Sequence, residues 1–207
     1  PFPRTLHDSE HADIDLKLVH GQWPEGMSGE LVIAAPGPRA EGLGYQLFAD
    51  GHCIRMSLQP GADGAAPDRF AWRARKIRGP SVRLREKRPD VCIPGSAGYQ
   101  SPFGLLNMAN TAVMPWGDRL FATWDVGRPV ELDPVSLEFL GEVGSKKTWG
   151  TSIPIPGVLP FIFSSAHPVI DPDRDCLWTV RLSPSADHPG HMAPHIVRWN
   201  GEGTAVE

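Results

Sequence analysis

No run of apolar residues in this chain approaches the ~20 that a helix needs to cross a bilayer, and no charged-then-apolar segment opens it as a secretion signal would. The expectation is a protein without a membrane span. Cysteine is scarce. Cys53, Cys92 and Cys176 are odd in number, far apart and without a CxxC pair, which fits reduced thiols in a cytoplasmic protein better than a disulfide framework or a cysteine zinc site. Charge of one sign is also lacking: 20 Lys and Arg face 24 Asp and Glu, for a net charge of −4. The whole chain therefore offers no electrostatic reason to expect a nucleic-acid partner. It begins at Pro1 rather than Met, so the natural N-terminus is expected upstream.

What the chain has in quantity is turn chemistry. Glycine and proline number 22 each among 207 residues, which argues against a helical protein, and the length suffices to bury a real core. Short apolar or alternating runs between turn signals read as an all-β protein. Thr111 to Met114 reads as a strand, Pro115-Trp116-Gly117-Asp118 as a turn and Arg119 to Trp124 as the hairpin partner, with Pro129 to Leu132 and Leu137 to Val143 following. The design recurs: His167 to Ile170, a turn over Asp171 to Asp175, Cys176 to Leu182, then His195 to Asn200 and a last short strand. An earlier, looser unit comprises Leu31 to Ala34, Gln46 to Ala49, Cys53 to Leu58 and Phe70 to Lys76. Thr111 and His167 occupy matching places in their units, 56 residues apart. Four-stranded units at a period of ~50 residues are the mark of a β-propeller, with a β-sandwich as the structural alternative.

Several segments stand in a particular order: Gly21-Gln22-Trp23-Pro24-Glu25-Gly26-Met27-Ser28-Gly29, Leu47-Phe48-Ala49-Asp50-Gly51-His52, Asn107 to Val113, Gly117 to Asp125, and Ala166-His167-Pro168. In this order they resemble the carotenoid cleavage oxygenases, the family that includes the lignostilbene dioxygenases and the retinoid isomerase of the eye. The resemblance runs from Asp15 to Val180. It implies a seven-bladed β-propeller. Because family members are more than twice this length, residues 1–207 are expected to be the N-terminal portion of a single propeller domain, incomplete, with about three blades.

The resemblance also implies chemistry. Family members hold a ferrous iron, Fe(2+), on the propeller axis with four histidines from different blades, and His167 matches the first of them. Pro168 keeps His167 in extended backbone, and neutral imidazole is a common transition-metal ligand that suits Fe(II). The other three ligands are expected beyond Glu207. The family further uses glutamates that accept a hydrogen bond from the far nitrogen of a ligating histidine. One of these falls at Asp125, where the side chain is shorter by one carbon–carbon bond, about 1.5 Å. The competing reading of Asp125 is a turn residue ahead of Val126-Gly127.

His188, His191 and His195 form an HxxHxxxH cluster, but Pro189, Gly190 and Pro194 break any helix there, and a solvated loop is expected. His52 starts a strand and matches no ligand position. Arg73 to Arg88 holds eight basic residues against one acid, Glu86. A peripheral membrane contact is one reading of it, and a solvated outer strand plus loop is the other. Ile153 to Phe163 either lines a tunnel for an apolar substrate or fills a loop core. The function expected is that of a portion of an Fe(II)-dependent dioxygenase. Its reaction would split a conjugated double bond of a carotenoid, apocarotenoid or stilbene with O₂ into two carbonyl products. The rivals are a metal-free propeller binding domain and an inactive truncated product. An open propeller would leave a terminal sheet uncovered, with Phe121 and Trp178 expected to lack a neighbouring blade.

Overall fold

The computed structural model describes residues 11–22, 24, 27–37, 49–58, 69–91, 93–95, 98–101, 104–144, 149, 153–155, 159–202 and 205–206. The chain forms β1 (His11–Lys17), β2 (Gly29–Pro36), β3 (Gly51–Leu58) and β4 (Arg69–Lys76), then helix α1 (Pro80–Lys87) and a single 3₁₀ turn over Pro89–Val91. Three short strands follow: β5 (Ile93–Gly95), β6 (Gly98–Ser101) and β7 (Gly104–Leu105). A second set comprises β8 (Ala112–Trp116), β9 (Arg119–Thr123), β10 (Val130–Leu132) and β11 (Phe139–Glu142), followed by a ribbon of β12 (Ile153–Ile155) and β13 (Leu159–Phe161). The last set is β14 (Phe163–Ser164), β15 (Val169–Asp171), β16 (Cys176–Pro184), β17 (Met192–Trp199) and β18 (Ala205–Val206).

Three antiparallel sheets dominate. Their orders are β2-β3-β4-β1, β8-β9-β10-β11, and β16-β17-β18 with β14 and β15 sharing the free edge of β16. In each, consecutive strands are neighbours, as in a meander. The first sheet departs from this only in taking its outermost strand, β1, from before β2. The Gln46 to Ala49 strand lies outside the described residues except for Ala49, which sits in a bend.

The middle sheet is buried on both faces, and β9 makes that visible. Leu120 and Ala122 point to the first sheet and join Cys53, Ile77, Val130 and Leu132 in one core. Phe121 points the other way and packs with Met114, Trp149, Leu177 and Trp199 against the third sheet. A strand covered on both sides loses its polar alternation, so Leu120-Phe121-Ala122 reads as a continuous apolar run. This corrects the expectation for Phe121, which is 0% exposed because the third sheet covers it. Trp178 is half-buried.

The outer part of this second interface is an aromatic and cationic stack. The Arg119 guanidinium lies 4.8 Å from the Phe121 ring centroid and 5.4 Å from that of Trp199. It bonds Glu131 at 2.7 and 2.8 Å and the Gly201 carbonyl at 2.9 Å. Trp116 stands edge-on to Trp199 and donates its indole N–H to Asp175. Cation–π contacts of a partly exposed guanidinium contribute about 0.5–1 kcal/mol each.

The first and second sheets meet along residues 107–110. Gly51 donates its N–H to the Met108 carbonyl (2.8 Å), and Asn110 donates its amide to the Ala49 carbonyl (2.7 Å). Asn107 reaches the other way, to the Arg128 carbonyl at 2.8 Å. The approach is so close that a Cβ at Gly51 would sit 2.1 Å from the Ala109 oxygen. Ala109 itself takes a left-handed backbone, with φ of 48°.

Two departures from the sequence reading concern Arg73 to Arg88. Its strand, β4, is not outermost, since β1 pairs along it from Lys17↔Arg69 to His11↔Arg75. Its second half is the helix α1, entered through Pro80 at the first turn, where a missing N–H costs nothing. The helix is anchored by Ser81 and Arg85, which both bond the buried Asp50 carboxylate.

Two outcomes follow from these packings. Gly51→Ala is expected to cost about 1–3 kcal/mol, since the methyl meets a backbone carbonyl that cannot swing aside. Gly141→Ala, with open space at its Cβ, is expected to change stability by less than about 1 kcal/mol; urea midpoints compare them. Burial pushes the Cys53 thiol up to about 12, above the ~8.5 of an unfolded cysteine. The unfolded chain therefore releases this proton first as pH rises. Stability should be unaffected by this group below pH ~8.5 and fall from there toward 12, by on the order of 1 kcal/mol at pH ~9.5. Cys53→Ala should remove that component, read as the change in unfolding free energy between neutral and alkaline pH.

Candidate functional site

His167 lies two residues before β15, on the free edge of the third sheet, and Thr111 lies one residue before β8, on the free edge of the second. Both are exposed. The His167 backbone N–H bonds Ser165 Oγ at 3.1 Å. Among the described residues, no group hydrogen-bonds its imidazole nitrogens. Its ring is presented at a strand end.

The segment that carries His167 is laced to the end of β9 and the turn after it. Gly127 donates its N–H to the Ile162 carbonyl (2.7 Å), and Ser164 donates its N–H to the Asp125 carbonyl (3.1 Å). The Ser164 hydroxyl bonds the Gly127 carbonyl at 2.8 Å. The Ala166 N–H donates to Asp125 Oδ1 at 2.9 Å, and the Thr123 hydroxyl donates to the Ala166 carbonyl at 2.5 Å. Gly127 needs its glycine here: its φ is 108°, and a Cβ would sit 2.6 Å from Asn107 Nδ2.

Asp125 is exposed and neighbours His167 through that Ala166 bond, with no hydrogen bond to the His167 ring. Its carboxylate thus serves a backbone N–H and keeps Oδ2 open. Thr123 and Ser164 went unnoticed in the sequence because their partners lie 43 and 37 residues away. An apolar strand that ends on threonine was the only local hint.

The other histidines do not converge. His188 and His191 are exposed in the turn after β16, with rings stacked edge-to-face at 6.1 Å. His195 is on β17, not in a loop, and its Nε2 meets Ser183 Oγ at 2.5 Å. Among the described residues, no group of three or more His, Cys, Asp or Glu could hold a metal ion.

Five of the eight basic residues form ion pairs within the chain. Arg73 and Arg75 pair with Asp13 at 3.0 and 2.6 Å, Arg78 with Glu86 and Arg88 with Asp90 at 2.8 Å each, and Arg85 with Asp50. Arg75 foremost, then Arg73, holds the Asp13 carboxyl below its usual range. Arg83 lies over the Phe139 ring at 5.2 Å. The Ile153 to Phe163 stretch forms the β12–β13 ribbon and enters β14, and Ile162 is buried in the core with Phe121.

Meandering antiparallel sheets packed face to face are what successive blades of a β-propeller look like. The chain matches the retinal pigment epithelial membrane protein family over residues 4–205, nearly its whole length, and belongs to that family, the carotenoid cleavage oxygenases. It is 27% identical over 147 residues to carotenoid cleavage dioxygenase 7 of Oryza sativa subsp. japonica, covering 67% of this chain and 24% of that protein. It is 29% identical over 168 residues to apocarotenoid-15,15'-oxygenase of Synechocystis, covering 74% of this chain and 31% of that protein.

Solved structures agree on the fold. Cobalt-substituted Synechocystis apocarotenoid oxygenase superposes with a TM-score of 0.64 at 22% identity, covering 95% of this chain and 41% of that one. Pseudomonas brassicacearum lignostilbene dioxygenase gives 0.65 at 20%, covering 100% and 42%. The fold is the carotenoid-oxygenase β-propeller, and the chain spans less than half the length of these neighbours.

The Asp125 bond predicts a local signature. Asp125→Ala leaves the Ala166 N–H without its acceptor, and amide hydrogen exchange at Ala166 should quicken by about tenfold, the equivalent of one net hydrogen bond. Asp125→Asn keeps an acceptor oxygen and should stay near the wild-type rate.

Proposed function

We propose that residues 1–207 are the N-terminal portion of a single propeller domain of an Fe(II)-dependent dioxygenase, which cleaves a conjugated carbon–carbon double bond of a carotenoid, apocarotenoid or stilbene. One C=C and one O₂ give two C=O groups, so atoms balance without a further reductant. The observation that carries this reading is His167. Among the described residues no group bonds its exposed imidazole, and it stands at the strand end where the resemblance implies a metal ligand.

In this reading His167 supplies one neutral nitrogen donor, and the remaining ligands come from histidines beyond Glu207. Asp125 offers its open Oδ2 to the far N–H of one of those histidines, which fixes a ring's orientation and raises its basicity. Iron(II), when bound, supplies the redox chemistry that dioxygen requires. The protein's own work is to align one double bond of an apolar substrate beside the metal. A cytoplasmic location is in keeping with the free, buried thiols of Cys53 and Cys176. Among the described residues no helix is long and apolar enough to cross a membrane. A peripheral membrane contact, through the exposed Arg83 and Lys87 of α1, belongs to the same proposal.

One imidazole cannot hold Fe(II) against water, because strength and selectivity come from several preorganised donors. The 207-residue chain by itself is therefore expected to bind no stoichiometric iron, to cleave no polyene or stilbene, and to aggregate through its uncovered sheet faces. Leu31 and Ile33 on the first sheet and Val180 and Ile196 on the third are exposed. The intact polypeptide should bind about one iron per chain and lose it on His167→Ala, since no other group replaces a ligand. Metal analysis decides: equimolar iron in the short chain, or unchanged iron in the intact His167→Ala variant, overturns the proposal. The metal-free binding domain predicts no iron in either.

A further inference from the structure

We infer that Thr123 is a positioning residue of the metal site: together with Asp125 it clamps the peptide that carries His167. The inference rests on the reading of His167 as a ligand. Ala166 is 0% exposed and Thr123 is 1% exposed, so the bonds between them are shielded from water. Both polar groups of Ala166 are held by the end of β9, its N–H by Asp125 Oδ1 at 2.9 Å and its carbonyl by the Thr123 hydroxyl at 2.5 Å. The hydroxyl has one proton to give. The Ala112 carbonyl lies 3.3 Å away, the longer of the two contacts, so the proton goes to Ala166.

The Ala166 carbonyl and the His167 nitrogen belong to one planar peptide group. Fixing that carbonyl fixes the plane from which the His167 side chain departs. Pro168 restricts the other side of His167 to extended backbone. The ring has no hydrogen bond of its own among the described residues, so before any metal arrives its place is set almost wholly through its backbone. Thr123 therefore acts on the metal at one remove, through the direction in which the imidazole projects. Losing an outer support of a ligand typically weakens metal affinity by about 10- to 100-fold.

A merely structural threonine would behave differently, lowering stability while the folded molecules bound metal as before. The test uses the intact polypeptide that contains this chain, with cobalt(II) as the probe, and measures its Kd and visible ligand-field spectrum at matched folded fraction. Thr123→Val, which keeps the shape and removes the donor, should weaken cobalt(II) about tenfold or more and alter the spectrum. Thr123→Ser, which keeps the hydroxyl, should restore both. Thr123→Ala supplies the same comparison should the valine variant fail to fold. Wild-type Kd and spectrum in the folded valine or alanine variant overturn the clamp, as does a serine variant as weak as valine. His167→Ala separates the two ideas. If it keeps wild-type cobalt(II) affinity, the ligand reading fails and the clamp falls with it. If it loses the metal while Thr123→Val does not, only the clamp is lost.

Discussion

Backbone hydrogen bonds at the inner ends of the sheets are the constraint on which the arrangement depends. Where β9 ends, residues 123–127 must satisfy their own polar groups and those of residues 162–166 from the next sheet. A buried amide or carbonyl left without a partner costs about 1–3 kcal/mol. The two segments therefore lock in one register or lose several such bonds together. The same device ties the first sheet to the second, through Gly51, Ala49 and residues 107–110. Hydrophobic burial between sheets is non-directional and would tolerate sliding. The polar seams remove that freedom.

The outer part of the second interface works by different physics. Arg119 spans Glu131 on its own sheet and Gly201 on the next while lying over Phe121 and Trp199. Its charge is matched by one carboxylate, and the Glu131 hydrogen bond, foremost among the causes, keeps the guanidinium firmly protonated. Two contact types thus fix the angle between neighbouring sheets, hydrogen-bonded peptide near the strand ends that carry His167 and a cation between aromatic rings farther out. Both are directional, and the apolar core lies between them.

Much of this arrangement was legible beforehand, and what escaped was non-local. Gly117-Asp118 marked its hairpin because the turn chemistry sits in adjacent residues, although β8 runs on through Pro115, which an edge strand tolerates. β1 went unforeseen because it pairs with β4 some sixty residues later, and its short alternation of Ala12, Ile14 and Leu16 has only two large apolar side chains. The helix α1 was hidden by its charge. Of its eight residues only Ser81 and Val82 are buried, so it shows almost no apolar stripe, and its hold on Asp50 is polar. Phe121 was misjudged because burial on its second face depends on Trp199, far along the chain. At the candidate site His167 and Asp125 were visible as residue types in a recognisable order, whereas Thr123 had no meaning until Ala166 came within reach of its hydroxyl.

Aspartate in place of glutamate at position 125 acquires a physical sense from the same geometry. A carboxylate one carbon closer to the backbone reaches the Ala166 N–H at 2.9 Å, while its own carbonyl takes the Ser164 N–H at 3.1 Å. One residue thus satisfies two donors of the segment that carries His167. A glutamate would carry its oxygens about 1.5 Å further out, away from that N–H and toward whatever lies beyond the strand ends. The shorter side chain gives up reach and gains a bond to Ala166, the residue before His167. In this chain the acid at 125 therefore holds the segment before His167, and among the described residues no group bonds its Oδ2. Under the proposed function, the precision of such a site comes from main-chain bonds between neighbouring sheets as well as from contacts to imidazole rings.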